Sequence, residues 1–168
     1  MKIRQRHFIK SSKIKLLKEE ILKQHDEDFV NQIFPKKCRV ETILTETGDN
    51  LYAINNVLKL WKSKEGYIPV LTLLLKNKVN LKTITVDMGA VKYVTNKADI
   101  MRPGITKIDP QIEKGELVKI VDEKNNRALA VGKAMFDAKE MEVKTSGKVI
   151  RNLHTITDKI WQFEKQFK

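Results

Sequence analysis

Cysteine is all but missing. Cys38 stands alone among 168 residues, so no internal disulfide can form and a cysteine-based metal cluster is excluded. The cytosol is the compartment consistent with that usage. Histidine is nearly as scarce: His7, His25 and His154 lie far apart in the chain, and no metal site of familiar ligand spacing is expected. The apolar run Val70 to Leu75 is far too short for a membrane span and suits a core helix. The opening stretch MKIRQRHFIKSSKIK is basic and lacks the continuous apolar core of a signal peptide. No P-loop, GxGxxG, HExxH or nucleophile-elbow pattern occurs. Asp87 and Asp137 each lack an acid/base mate and read as caps or turn residues. These absences argue against an enzyme, and no cofactor is expected.

Acidic residues are also in deficit, and that deficit is the first positive clue. Lys and Arg number 33 against 21 Asp and Glu, a formal net charge of +12, with a sequence pI near 9.7. Residues 1–80 hold 16 basic and 9 acidic side chains and residues 81–168 hold 17 and 12, so both halves are basic. Such a balance fits a partner that carries phosphate. Compositional bias and ordinary solvated lysines are the bland alternative.

The first half reads as a compact α/β unit. A strand is expected near Ile3 to Phe8. An amphipathic helix follows over Ser12 to Gln24, with Ser11 or Ser12 as its cap and Ile14, Leu17, Ile21 and Leu22 on one face. A short helix carries Phe29, Val30 and Ile33, and Pro35 stops it. Strands at Cys38 to Leu44, Leu51 to Ile54 and Val57 to Trp61 are punctuated by Thr47-Gly48-Asp49-Asn50 and Asn55-Asn56. Gly66-Tyr67-Ile68-Pro69 is read as the lead into a helix over Val70 to Leu75, with proline near its first turn. The polar stretch KNKVNLK places a boundary near Asn77 to Lys82, giving an N-terminal domain over 1–79 and a C-terminal one over 80–168.

The second half is mainly β. Thr83-Ile84-Thr85-Val86 alternates in the manner of a half-buried strand. Asp87 then caps a short helix whose Ala90, Val91 and Val94 share a face while Lys92 and Asn96 point elsewhere. Asn96 and Lys97 break it, and Arg102-Pro103-Gly104 makes a turn in which proline fixes φ and glycine allows positive φ or close approach. Strands follow at Ile105 to Ile108, Leu117 to Val121 and Arg127 to Met135, with a helical turn at Ala138 to Val143. Lys148 to Trp161 is read as a return to β, ending in an aromatic cluster of Trp161, Phe163 and Phe167. A closed or nearly closed barrel would pair these edges.

Three ordered blocks, VDMGAVKYVTNKADIMRPGI, KGELVKIVDEKNNRALAVGKA and GKVIRNLHTITDKIW, resemble the PUA domain, the RNA-binding fold named for pseudouridine synthases and archaeosine transglycosylases. QIFPKK and GYIPVLTLLLK before them are similar to the malignant T-cell amplified sequence family, to the related region of ligatin, and to their archaeal homologues. The resemblance implies an α+β chain with a pre-PUA domain followed by a PUA β pseudo-barrel. It also implies non-enzymatic RNA binding at the small ribosomal subunit or on tRNA, in initiation, reinitiation or recycling, with a separate initiation-factor-one-like protein as partner and no membrane. A ribosome-biogenesis adaptor on pre-ribosomal RNA and an accessory subunit of an RNA-modification enzyme are the alternatives. Carried over by motif, the RNA-facing residues are Gly89, Lys92, Tyr93, Asn96, Lys97, Arg102, Pro103 and Gly104, with Lys133 and with Arg151 and Asn152 as further candidates. Arg102 suits a bidentate or stacked contact. Tyr93 can stack on a base, although an aromatic on so short a helix more often packs into the barrel.

Overall fold

A computed structural model describes all residues, Met1 to Lys168. In the first half β1 (Ile3–Phe8), α1 (Ser11–Leu22) and α2 (Glu27–Ile33) lead into β2 (Val40–Thr45), β3 (Asn50–Ile54), β4 (Val57–Ser63), β5 (Gly66–Pro69) and α3 (Leu71–Leu75). The five strands form an antiparallel meander in sequence order. Asp26 caps α2 by accepting the Phe29 N–H, and Leu17, Ile21, Phe29 and Ile33 from the two helices are buried against the sheet.

Two expectations change here. Gly66–Pro69 is a strand, because Tyr67, Ile68 and Pro69 are buried beside β4, and proline is tolerated in β5 since that strand is an edge with no further ladder to donate to. Neither serine caps α1: the helix begins at Ser11, Lys10 holds the cap position, and no side chain bonds its first amides.

The second half forms a six-stranded sheet from β6 (Thr83–Val86), β7 (Ile100–Met101), β8 (Ile105–Ile108), β9 (Leu117–Asp122), β10 (Ala128–Ala134) and β11 (Lys148–Thr155). Its order is β7-β11-β10-β9-β6-β8. All pairs are antiparallel except β6 with β9. The two edge strands, β7 and β8, are consecutive in the chain and joined only by a 3-10 turn at Arg102–Gly104. The edges therefore meet at that turn, and the sheet curls into a nearly closed barrel that hides its own edges. Bonds from Arg102 N–H to Gly147 O and from Asp87 N–H to Gly104 O pin the seam. Gly132 on β10 permits the curl: a Cβ there would overlap the Ile150 side chain and lie 2.9 Å from Arg151 O.

Beside the barrel lie α4 (Val91–Thr95), α5 (Ala138–Val143) and α6 (Lys159–Gln166). The last replaces the expected continuation of β11. Asp158 accepts the Trp161 N–H at 2.9 Å and starts a helix whose Ile160 and Phe163 are buried. Those two, with Leu117, Ala128, Val131 and Leu153 of the second half, join the apolar core of the first half. A separate core, including Ile84, Val86, Val94, Ile120 and Ile150, fills the barrel. The two sheets are thus welded by shared burial, and each fully buried Leu or Ile side chain contributes roughly 1.5–3 kcal/mol. No helix is long and apolar enough to cross a membrane.

Candidate nucleic-acid interface

The seam of the barrel opens into a cleft of about 770 Å³ whose lining includes Gly89, Tyr93, Lys97, Met101, Gly104 and Lys148. Local sequence builds most of it. Asp87 Oδ1 accepts the Ala90 N–H at 2.8 Å and turns the chain from β6 toward α4. The helix ends in a Schellman motif: Ala98 N–H reaches Tyr93 O and Lys97 N–H reaches Val94 O. Lys97 takes φ of +67° to complete that turn, a left-handed conformation that a lysine adopts only at a cost. Asn77 fills the equivalent place after α3 at φ of +52°, with the residue type that tolerates it.

Tyr93 is 58% exposed, so its ring is available at the cleft rather than packed in the barrel, where an aromatic on so short a helix more often lies. The reason is the short helix, which turns only Val94 fully inward. Lys92 Nζ stands 4.9 Å from the Tyr93 ring centroid, a cation beside an open aromatic face. Lys92 and Asn96 are exposed on the outer side of α4 and do not line the cleft. Pro103 does line it, with Gly104. Gly104 shows no positive φ; what its missing side chain permits is close packing, since a Cβ would sit 3.2 Å from that of Ala90.

Four expected residues are otherwise engaged. Arg102 donates from Nε to Met141 O at 2.6 Å and from a terminal nitrogen to Ile105 O at 3.2 Å, and its side chain is only 17% exposed. Its guanidinium ties α5 to the seam. Asn152 is buried and donates to Val94 O and Ala98 O, so it fastens the end of α4 to β11 instead of facing a ligand. Lys133 and Arg151 lie away from the cleft, where both bind the Glu65 carboxylate at 2.7 and 2.8 Å. The Lys133 ammonium, with Arg151 beside it, holds that carboxyl below the usual carboxylate range.

Sequence reasoning missed Lys148 and Met101. They pair across β11 and β7, a register that no local pattern announces. Lys148 also lies 3.4 Å from Asp99, whose other oxygen accepts the Asn152 N–H. The cleft thus carries mostly apolar walls, one exposed aromatic face, and lysines at its rim.

Comparison with known proteins agrees with this architecture. The family model described as the PUA domain matches residues 82–156, and the one described as the pre-PUA-like domain matches residues 1–77. Translation machinery-associated protein 20 of Saccharomyces cerevisiae is 32% identical, with 96% of this chain and 93% of that protein covered. Malignant T-cell-amplified sequence 1 of Danio rerio is 33% identical, covering 93% of this chain and 90% of that one. A crystal structure of a protein from the hyperthermophilic archaeon Pyrococcus horikoshii superposes with a TM-score of 0.80 at 27% identity, covering 95% of this chain and 99% of the other.

Proposed function

The chain belongs to the family that joins a pre-PUA-like domain to a PUA domain and includes the malignant T-cell-amplified sequence proteins, and on that basis we propose that it is a non-enzymatic RNA-binding protein of translation. It grips a turned or single-stranded element of tRNA or small-subunit RNA in the cleft at the barrel seam. Lys97, Lys148 and Lys92 supply salt-dependent attraction to phosphates, and Tyr93 offers a face on which an unstacked base lies. A separate initiation-factor-one-like protein is the protein partner in this reading.

The observation that carries the proposal is the exposed Tyr93 ring beside Lys92, at the rim of an apolar cleft in a chain of net charge +12. The names of the yeast and zebrafish relatives support the translation setting. A test pairs Tyr93→Ala with Lys97→Glu and titrates the protein against tRNA and against small-subunit RNA at fixed salt. Loss of one stacked base costs about 1–3 kcal/mol, so affinity should fall at least about tenfold with the melting curve unchanged. Equal affinity of variant and wild type for both RNAs would remove the cleft from the mechanism. Arg102 is a poor probe, because its substitution also releases Met141 and Ile105. Sedimentation from a native lysate addresses the setting: the protein should travel with mature small subunits, whereas travel with large-subunit precursors would point to biogenesis.

A further inference from the structure

Lys133 and Arg151 are directly opposite each other in the β10–β11 ladder, so two cations share one face of the sheet, a placement that repels unless an anion sits between them. The anion in this structure is internal. Glu65, in the β4–β5 hairpin of the other domain, gives one carboxylate oxygen to Lys133 and the other to Arg151. Around the three lies an open cleft of about 410 Å³, lined also by Lys114 and Phe136, and Lys144 Nζ stands 4.1 Å from the Phe136 ring centroid. A carboxylate bridging an ammonium and a guanidinium has the geometry that two non-bridging phosphate oxygens would take in the same place.

We propose that Lys133, Arg151 and Lys114 form a second RNA phosphate site, that Glu65 occupies it in the free protein, and that an RNA phosphodiester displaces the Glu65 carboxylate on binding. The inference rests on the RNA-binding reading above but concerns different residues. Displacement does not require the hairpin to unfold. Gln24 clamps its backbone independently, donating to Glu65 O at 3.0 Å and accepting the Tyr67 N–H at 2.8 Å. Gly66 between them has φ of +107°, and a Cβ there would collide with that same carboxamide. Only the carboxylate has to swing. The ion pairs it leaves are partly exposed, with side chains 25% to 53% accessible, and pairs of that kind hold weakly. Domain docking does not depend on them, since the shared apolar core spans both halves.

The experiment uses the full chain and fluorescently labelled tRNA over a salt series. Glu65→Gln should tighten binding about three- to tenfold and steepen the log affinity against log salt plot by about one to two contacts. Glu65→Asp keeps the charge but withdraws the carboxylate by one methylene, and should tighten binding by a smaller factor. Glu46→Gln makes the same charge change at another exposed position and should leave affinity near the wild-type value. Adding Arg151→Ala to Glu65→Gln should cancel the gain.

The site is overturned if Glu65→Gln binds like wild type, or gains no more than Glu46→Gln, or keeps its gain without Arg151. Tyr93→Ala with Lys97→Glu, run in the same assay, separates the two ideas. Weakening by that pair with a neutral Glu65→Gln retains the seam cleft and removes the second site. A tighter Glu65→Gln with a neutral seam variant retains the second site alone.

Discussion

His154 Nε2 accepts the backbone N–H of Leu71 at 3.2 Å, so a fully buried imidazole on the last barrel strand holds the first residue of a helix in the other domain. That bond settles the tautomer, because Nε2 must offer a lone pair and Nδ1 must carry the proton it donates to Asp158 at 2.8 Å. Asp158 also accepts the Thr155 and Trp161 amides, and the Trp61 ring meets the imidazole edge-on at 6.3 Å between centroids.

This buried histidine is thus an interdomain pin. Replacing it with Leu keeps the bulk but leaves the Leu71 N–H and the Asp158 carboxylate without their partner. An orphaned buried donor costs about 1–3 kcal/mol, so His154→Leu should lower the unfolding free energy by about 2–4 kcal/mol in urea titration. A loss below about 0.5 kcal/mol would mean that water replaces the ring without penalty.

Two carboxylates at this junction should give opposite pH signatures. Burial pushes the Asp158 pKa up, but the hydrogen bond from His154 and those from the Trp161 and Thr155 amides outweigh it and hold the group below its ordinary value. Its folded pKa lies below the unfolded one, so its stabilisation is present at neutral pH and fades as pH falls through the folded pKa. For Glu164 burial dominates and raises the pKa, with the Thr72 bond only partly offsetting it, and Oε2 has no partner. Its contribution runs the other way: present in acid, lost as pH rises through the folded pKa. Urea midpoints at pH 7 and pH 3 check both. Asp158→Asn should be less stable than wild type at pH 7, Glu164→Gln more stable, and both differences should shrink in acid.

Gly132 makes a steric prediction. An alanine methyl would overlap the Ile150 side chain and lie 2.9 Å from the Arg151 carbonyl and 3.1 Å from Ile120 Cδ1. Overpacking of this kind costs about 1–3 kcal/mol, so thermal or urea unfolding of Gly132→Ala should show that loss. Trimming Ile150 to Ala removes the side-chain clash but not the carbonyl, and should fail to rescue. Full rescue by the double variant would show that the backbone has room to move.

The parts legible in the sequence are those whose physics is local. The strand, the short helix and the Lys97 turn at the seam could be read directly, but Ala90 rather than Asp87 holds the cap position of α4, and Asp87 instead accepts the Ala90 N–H in the turn before it. Asp158 lay three residues before Trp161 in the same way, but the β-branched run through Thr155 and Ile156 extended the strand reading past it. Pro69 does lie just before the α3 cap, but the strand it ends has no signal of its own, because only the neighbouring β4 reveals an edge there. The role of Arg102 depends on Met141 O, that of Lys148 on pairing with β7, and that of Lys133 and Arg151 on Glu65 in another domain. None of those distances has a signature in one stretch of chain.

Lys97 joins stability to function in a single substitution. It occupies the left-handed position that ends α4, where glycine is favoured and a side chain costs about 1 kcal/mol. Both Schellman bonds are made by backbone amides, those of Lys97 itself and of Ala98, so glycine there keeps every hydrogen bond and relieves the backbone. Lys97→Gly should therefore raise the unfolding free energy by about 1 kcal/mol, and it should weaken RNA binding because the cleft loses one of its lysines. Lys97→Ala removes the same charge while keeping the strain, so it should weaken binding equally with no gain in stability. Urea unfolding and RNA titration on the three proteins give the comparison. If glycine stabilises the fold and affinity does not move, the strained lysine has no part in holding RNA, and the seam cleft must work through Tyr93 and Lys148.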